Sequence, residues 1–258
     1  MTYALSAEAA EMFEYTFVPA LFRDWAQRLV RFAGVAPGRS VLDVACGTGI
    51  VARIAADRME VGARVVGLDV KPAMLAVARR IRPEISWIEG DAAKLPFENG
   101  SFDIVLSQAA LMFFPDRVAV LRELARVAGA GTVTVQVPGR LENSAGYRVL
   151  AEVVARHAGP EVVDLLGSYF AAGDPDRLEG QFAAAGLGVD RFETWTGATR
   201  LDSVDTLISV ELLPLADRVD AATRELIAGE CRTALAPYTA ADGSVAAPIE
   251  VHLLAASR

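Results

Sequence analysis

The stretch Val41-Leu-Asp-Val-Ala-Cys-Gly-Thr-Gly-Ile50 decides how the rest of the chain is read. Val41 to Val44 is an apolar run of strand length, broken only by Asp43. Gly47-Thr48-Gly49 makes a turn with almost no side-chain bulk, and Ile50 to Ala56 continues at helical spacing. A strand that turns through glycines into a helix brings backbone N–H groups and a helix N-terminus up to a ligand. Asp43, at the end of the strand, adds a carboxylate facing that turn. Such a carboxylate repels phosphate and attracts an ammonium group.

Outward from this turn the pattern alternates. Residues 7–33 read as helix interrupted near Pro19, with Met12, Phe13, Phe17, Leu21, Phe22, Trp25, Leu29 and Phe32 forming one broad apolar face. Strands are expected at 40–45, 64–69, 85–89, 102–107 and 132–137, and helices at 49–58, 72–81 and about 117–128. This rhythm means βαβ units, hence a parallel sheet with helices on both faces and right-handed crossovers. Beyond Pro138-Gly139, residues 140–185 read as helix and loop, 190–195 as a sixth strand, 203–236 as mostly helical, and 248–255 as a closing strand. Ligands of such sheets bind beyond the carboxyl ends of the strands, at the switch point. Asp43, Asp69, Asp91 and Ser107 all fall at or just past those ends.

Composition narrows the partners. The chain has 258 residues, 53% of them apolar, and a formal charge of −8. A core of α/β size is available, and an acidic surface disfavours nucleic acid and anionic lipid. No apolar run reaches the roughly 18 residues that span a bilayer, and the first residues lack the layout of a secretory signal. A cytoplasmic location and no membrane insertion are therefore expected. Cys46 and Cys231 make neither a disulfide framework nor a metal spacing, so no metal is expected.

Gly47-Thr-Gly-Ile-Val-Ala52 also fits the dinucleotide fingerprint, and Asp69 follows Gly49 by twenty residues. A nicotinamide-dependent oxidoreductase is thus one reading. Asp43 before the glycines and Asp91 in Glu89-Gly-Asp-Ala92 are unexplained by it.

Four segments together resemble the class I S-adenosylmethionine (SAM)-dependent methyltransferases, of the broad group that includes ubiquinone/menaquinone C-methyltransferases and many small-molecule methylases. They are Val41 to Gly49, Gly67-Leu-Asp69 with Met74-Leu75, Gly90-Asp-Ala-Ala-Lys-Leu-Pro-Phe97, and Ser101-Phe-Asp-Ile-Val-Leu-Ser107. The resemblance covers about residues 35–140. It implies a Rossmann-like, mostly parallel seven-stranded sheet whose last strand is antiparallel, with an N-terminal helical lid over residues 1–34 and a helical cap within 141–258. The whole of 1–258 would then be one methyltransferase domain.

The resemblance also implies roles. Asp43, with the backbone at Ala45, Gly47, Thr48 and Gly49, would hold the methionine part of SAM. Asp69, followed by Val70, would bind the ribose hydroxyls. Met74 would pack on adenine, Asp91 would accept from its amino group, and the Ala92 N–H would reach the ring. Ser107 and Gln108 would lie beside the sulfonium. Members of the family often carry glycine where Ala45 stands; a methyl group is tolerated there provided the backbone stays out of left-handed space. Plainer roles compete: capping for the three acids, core packing for Met74 and for Leu111-Met112-Phe113-Phe114, and a mere strand end for Ser107 and Gln108.

Tyr15, Met112, Tyr147 and Tyr169 are candidates for an acceptor pocket. His157 is a weak candidate base and His252 a weaker one. No Asn-Pro-Pro-Tyr-type segment follows the fourth strand, which argues against methylation of a nucleobase amine. The expected activity is transfer of a methyl group from SAM to oxygen or carbon of a small, largely apolar molecule by proximity. The other reading left open is a non-methylating SAM-binding protein, either a cyclisation catalyst or a binding module. A homodimer is compatible with exposed apolar cap faces.

Overall fold

The computed structural model describes residues 6–159, 167–212 and 219–258. Expectations for 1–5, 160–166 and 213–218 lie outside the described residues. The elements in chain order are α1 (Ala7–Met12), a π-helical segment (Phe13–Phe22), α2 (Arg23–Phe32), β1 (Val41–Val44), α3 (Ile50–Ala56), β2 (Val65–Asp69), α4 (Pro72–Ile81) and β3 (Ser86–Glu89). There follow β4 (Ile104–Gln108), a 3₁₀ turn (Leu111–Phe113), α5 (Arg117–Ala128), β5 (Thr132–Pro138), α6 (Ala145–Ala158), α7 (Pro175–Ala184), β6 (Gly188–Leu201), α8 (Val204–Glu211), α9 (Ala221–Leu235) and β7 (Val245–Ser257).

One seven-stranded sheet runs in the order β3-β2-β1-β4-β5-β7-β6. β1 pairs in parallel with β2 and β4, β2 with β3, and β4 with β5. β6 and β7 are antiparallel. Gly188 faces the Ser257 carbonyl at one end, while the Val204 N–H donates to the Gly243 carbonyl at the other. The chain order reverses between β1 and β4, so the switch point lies at the carboxyl ends of these two neighbours.

The backbone divides into two compact units: residues 1–137, 175–193 and 252–258 form the first, and 138–174 with 194–251 the second. The first is built on the parallel strands. Val41, Leu42, Val44, Leu68, Val105 and Leu106 are buried, as expected for strands covered on both faces. In the second unit α6, α8 and α9 pack around Leu150, Val154, Leu207, Ile227, Cys231 and Leu235. Cys231 is a core residue there. Among the described residues no helix is long and apolar enough to cross a membrane.

The N-terminal helix does not stop at Pro19. It widens into ten residues of π-helix, and the Arg23 N–H donates to the carbonyl of Val18, five residues back. Proline has no N–H to donate, and the wider turn absorbs that loss without ending the helix.

Candidate active site

The strand registers place the site residues. Asp43 of β1 is level with Gly67 of β2 and Leu106 of β4, and Leu106 is level with Thr134 of β5. Partners in register share a face, and residues two apart along a strand do as well. Asp43, Asp69, Gln108, Thr134 and Gln136 therefore lie on one face of the sheet near its carboxyl rim. Ser107 is level with Val135, on the opposite face. The sequence treats Ser107 and Gln108 as a pair, but strand alternation separates their side chains.

Asp43 is 1% exposed, and its Oδ2 accepts the Ala52 N–H in the first turn of α3 at 3.0 Å. Burial pushes its carboxyl up to about 8, and the charge of nearby Asp69 adds to the rise. Asp69 ties the rim together. Its Oδ2 accepts the Gly47 N–H at 2.8 Å and its Oδ1 the Lys71 N–H at 2.9 Å. Burial raises its pKa as well. Two buried carboxyl groups facing a glycine turn, their ionisation opposed by burial, gain from a cationic guest and not from a pyrophosphate. Asp91 lies beyond β3, where the Gly90 N–H donates to the Asp69 carbonyl at 3.0 Å. It is exposed, and its Oδ1 accepts the Ala93 N–H at 2.9 Å, so it caps a turn whatever else it does.

The turn itself is built by close approach. Gly49 has φ +86°, and α3 begins at the next residue. A side chain at Gly49 or at Gly67 would run into the Trp87 ring. Trp87 is fixed in turn by its Nε1–H, which donates to the Arg82 carbonyl at 2.8 Å. Thr48 is fully buried with no partner for its hydroxyl.

Ala45 corrects the sequence expectation. Its φ is +57°, inside left-handed space, so its methyl group is strained. Ala109, just past β4, has φ +50°. Among the described residues these two are the non-glycine positions with positive φ, and they flank the switch point. Strain of this kind collects at functional sites, where the surroundings over-determine the backbone. Ala45→Gly is expected to stabilise the fold by about 0.5–1 kcal/mol, the gain in dihedral freedom exceeding the entropy glycine adds to the unfolded chain. A melt should rise by about 1–4 °C, and an unchanged or lower melting temperature would contradict the strain.

The N-terminal segment roofs the turn. The Phe13 ring lies 3.7 Å from where a Gly47 side chain would begin, and stacks on Phe22 at 5.2 Å. Buried Glu14 takes the Arg53 guanidinium of α3 with both carboxylate oxygens at 2.9 Å. The Gln108 Nε2 donates to the Phe22 carbonyl at 3.2 Å. Tyr15, by contrast, is 64% exposed with its hydroxyl beside Arg80. Residues two apart on a helix point to nearly opposite sides, and it is Phe13, not Tyr15, that meets the glycine turn. Met74 is half-buried on α4, Val70 is exposed, Ala92 is buried, and Met112 is a buried residue of the 3₁₀ turn.

The remaining candidates other than His252 lie in the second unit. The Tyr147 hydroxyl is 2.7 Å from Thr199 Oγ1 and donates to buried Glu211 at 3.2 Å. Burial pushes Glu211 up to about 7, and Tyr169 lies within reach of its charge. His157 Nε2 is 2.8 Å from Glu230 Oε1, a pair between α6 and α9. His252, in the first unit, packs against the Phe192 ring at 5.3 Å.

The Glu14–Arg53 pair and Trp87 were not singled out from sequence, and Phe13 was read only as part of an apolar helix face. Their partners are distant in the chain, and no local spacing announces them. Thr134 and Gln136 did carry a signal: in Thr132-Val-Thr-Val-Gln-Val137 the polar residues recur every second position, a polar face on an otherwise buried strand.

Comparison with known proteins agrees with this geometry. A methyltransferase domain family matches residues 42–135. The demethylmenaquinone methyltransferase of Thermus thermophilus is 35% identical over 189 residues, 67% of this chain and 84% of that protein. The nocamycin O-methyltransferase of Saccharothrix syringae is 32% identical over 183 residues, 64% of this chain and 65% of that one. Several other curated relatives are matched over less than half of their length. The crystal structure of YcgJ from Bacillus subtilis superposes with a TM-score of 0.63 at 20% identity, covering 91% of this chain and 99% of that one, a likeness of fold. A nicotinamide oxidoreductase does not describe these relatives. The unpartnered Thr48 hydroxyl, the glycine turn and the paired acids Asp43 and Asp69 suit a positively charged nucleoside. The chain belongs to the class I SAM-dependent methyltransferases, and SAM is its cofactor.

Proposed function

We propose that the chain methylates oxygen or carbon of a small, largely apolar acceptor, chiefly by holding donor and acceptor in line. The observation that carries this reading is the Asp43–Asp69 pair on one face of β1 and β2, Asp69 bound to the glycine turn through Gly47 and Asp43 to α3 through Ala52. In it Asp43 and the turn receive the methionine end of SAM. Each Asp69 oxygen, although engaged by one N–H, keeps acceptor capacity for a ribose hydroxyl. Asp91 and Ala92, just past β3, and Met74, on α4, are the residues proposed to meet adenine.

SAM supplies a methyl group on a good leaving group, so positioning contributes much of the acceleration. A base is required only when the acceptor arrives protonated. His157 is occupied by Glu230 and is not proposed for that role. The charge of −8 supports a small molecule over nucleic acid. The activities named for the Thermus and Saccharothrix relatives support an acceptor resembling demethylmenaquinone or nocamycin. A radiolabelled-methyl assay over quinones, polyketides and sugars tests the reading, alongside calorimetry with SAM and NADH. SAM binding without transfer to any acceptor would favour a binding or cyclising role instead.

Binding should depend on pH through Asp43. With its pKa at about 8, Asp43 is largely protonated at pH 7 in the free protein. An ammonium group arriving beside it favours the carboxylate, so its pKa falls and a proton leaves. The bound state then holds fewer protons. Affinity for S-adenosylhomocysteine should rise with pH up to about 8 and weaken towards pH 6, by up to about tenfold per unit. Calorimetry in buffers of different ionisation heat should detect proton release at pH 7. A pH-independent affinity between 6 and 8 would contradict a direct role for Asp43.

A further inference from the structure

The cofactor-gripping acids lie on β1, β2 and just past β3. The same face of the sheet continues across the switch point onto β4 and β5. There it carries a polar row that neither the fold nor the cofactor explains. Gln136 and Thr134 are both fully buried. Neither the Gln136 amide oxygen nor its nitrogen has a partner, and the Thr134 hydroxyl has none. Gln136 is in register with Gln108, whose Oε1 is also buried without a partner. The Gln108 amide is oriented by its other end: Nε2 donates to the Phe22 carbonyl, and a flipped amide would set oxygen against oxygen.

Buried polar atoms without partners are rare in folded proteins, because each forfeits its hydrogen bonds to water. Three side chains in one row with four such atoms call for a ligand. The unmet groups include one amide donor, two amide acceptors and a hydroxyl that serves as either. A hydroxyl group, donor and acceptor at once, satisfies both kinds. A carbonyl would leave the acceptors unmet, and no charge stands in the row to hold a carboxylate or an ammonium.

We propose that Gln136, Gln108 and Thr134 are the polar anchor of the methyl acceptor, and that the acceptor carries a phenolic or enolic hydroxyl docked on β4 and β5. This deepens the methyl-transfer reading and rests on it. Gln136 and Thr134 are specificity-determining residues, because a site built to bond a hydroxyl rejects analogues that lack one.

The test uses the full chain, with and without saturating S-adenosylhomocysteine, and phenol as probe with benzene as control. Side-chain amide resonances of Gln136 and Gln108 are followed by ¹⁵N NMR. Phenol is expected to shift both resonances saturably, and benzene to bind at least about tenfold more weakly. Gln136→Leu should abolish the phenol response while S-adenosylhomocysteine affinity stays within about twofold. Thr134→Val, which keeps the shape of the side chain, should weaken phenol by about three- to tenfold and guards against a folding failure of the first variant. Phenol that leaves both amide resonances in place, or a response that survives in both variants, overturns the anchor and leaves interior water as the occupant. Failure of the wild-type chain to bind S-adenosylhomocysteine would instead overturn the methyl-transfer reading, so the two failures are distinct.

Discussion

Asp69→Ala is expected to weaken S-adenosylhomocysteine binding by about 10²- to 10⁴-fold. Two hydrogen bonds from ribose hydroxyls to a carboxylate contribute about 1.5–3 kcal/mol each, and a loss of about 3–6 kcal/mol corresponds to that range of affinity. The substitution also releases the Gly47 N–H, held at 2.8 Å, and the Lys71 N–H, held at 2.9 Å. Asp69→Asn should fall between wild type and Ala, since the amide oxygen keeps one acceptor and the amide nitrogen opposes the other N–H. Calorimetry gives the affinities, and a melt in the absence of ligand gives the structural share. If the role of Asp69 were only to tie the turn to α4, affinity would drop less than about tenfold in proportion to the lost stability.

The second large effect is on folding. Gly49→Ala is expected to destabilise the protein by about 2–5 kcal/mol. Left-handed backbone costs an L-residue about 1–2 kcal/mol, and φ at Gly49 is +86°. The new methyl carbon would also run into the Trp87 ring. Overpacking of this kind adds about 1–3 kcal/mol. The melting temperature should fall by about 10 °C. Trp87→Leu in the same chain should return the packing part of the loss and not the dihedral part. A Gly49→Ala melt within 2 °C of wild type would contradict the close approach. Ala45→Gly, four residues earlier, should move the melt the other way, which makes the pair a direct reading of backbone strain around one turn.

Much of this arrangement was legible in the chain. The helices read at 72–81 and 117–128 match α4 and α5 to the residue. Each has a clear start: Pro72 opens the first, and Asp116 caps the second by accepting the Ala119 N–H. Strand ends were less sharp. The sixth strand was read as 190–195 and runs from Gly188 to Leu201. Its far half, Thr196-Gly-Ala-Thr-Arg200, has no apolar alternation, and pairing with β7 is what keeps it extended. The rim acids Asp43 and Asp69 were legible because strand ends and glycine turns are local patterns. The backbone state of Ala45 was not, since a methyl group gives no sign of the dihedral that tertiary structure forces on it. The side of the strand taken by Ser107 also required the register with β5.

The ion pair between Glu14 and Arg53 sets where a shortened protein can begin. A fragment starting near residue 35 would retain every recognisable motif yet strand a guanidinium in an apolar seat beside the very loop it is meant to preserve. The smallest piece that keeps the surroundings of the glycine turn intact therefore reaches upstream of Glu14, and the segment Phe13–Phe22 belongs to that body as much as the strands do.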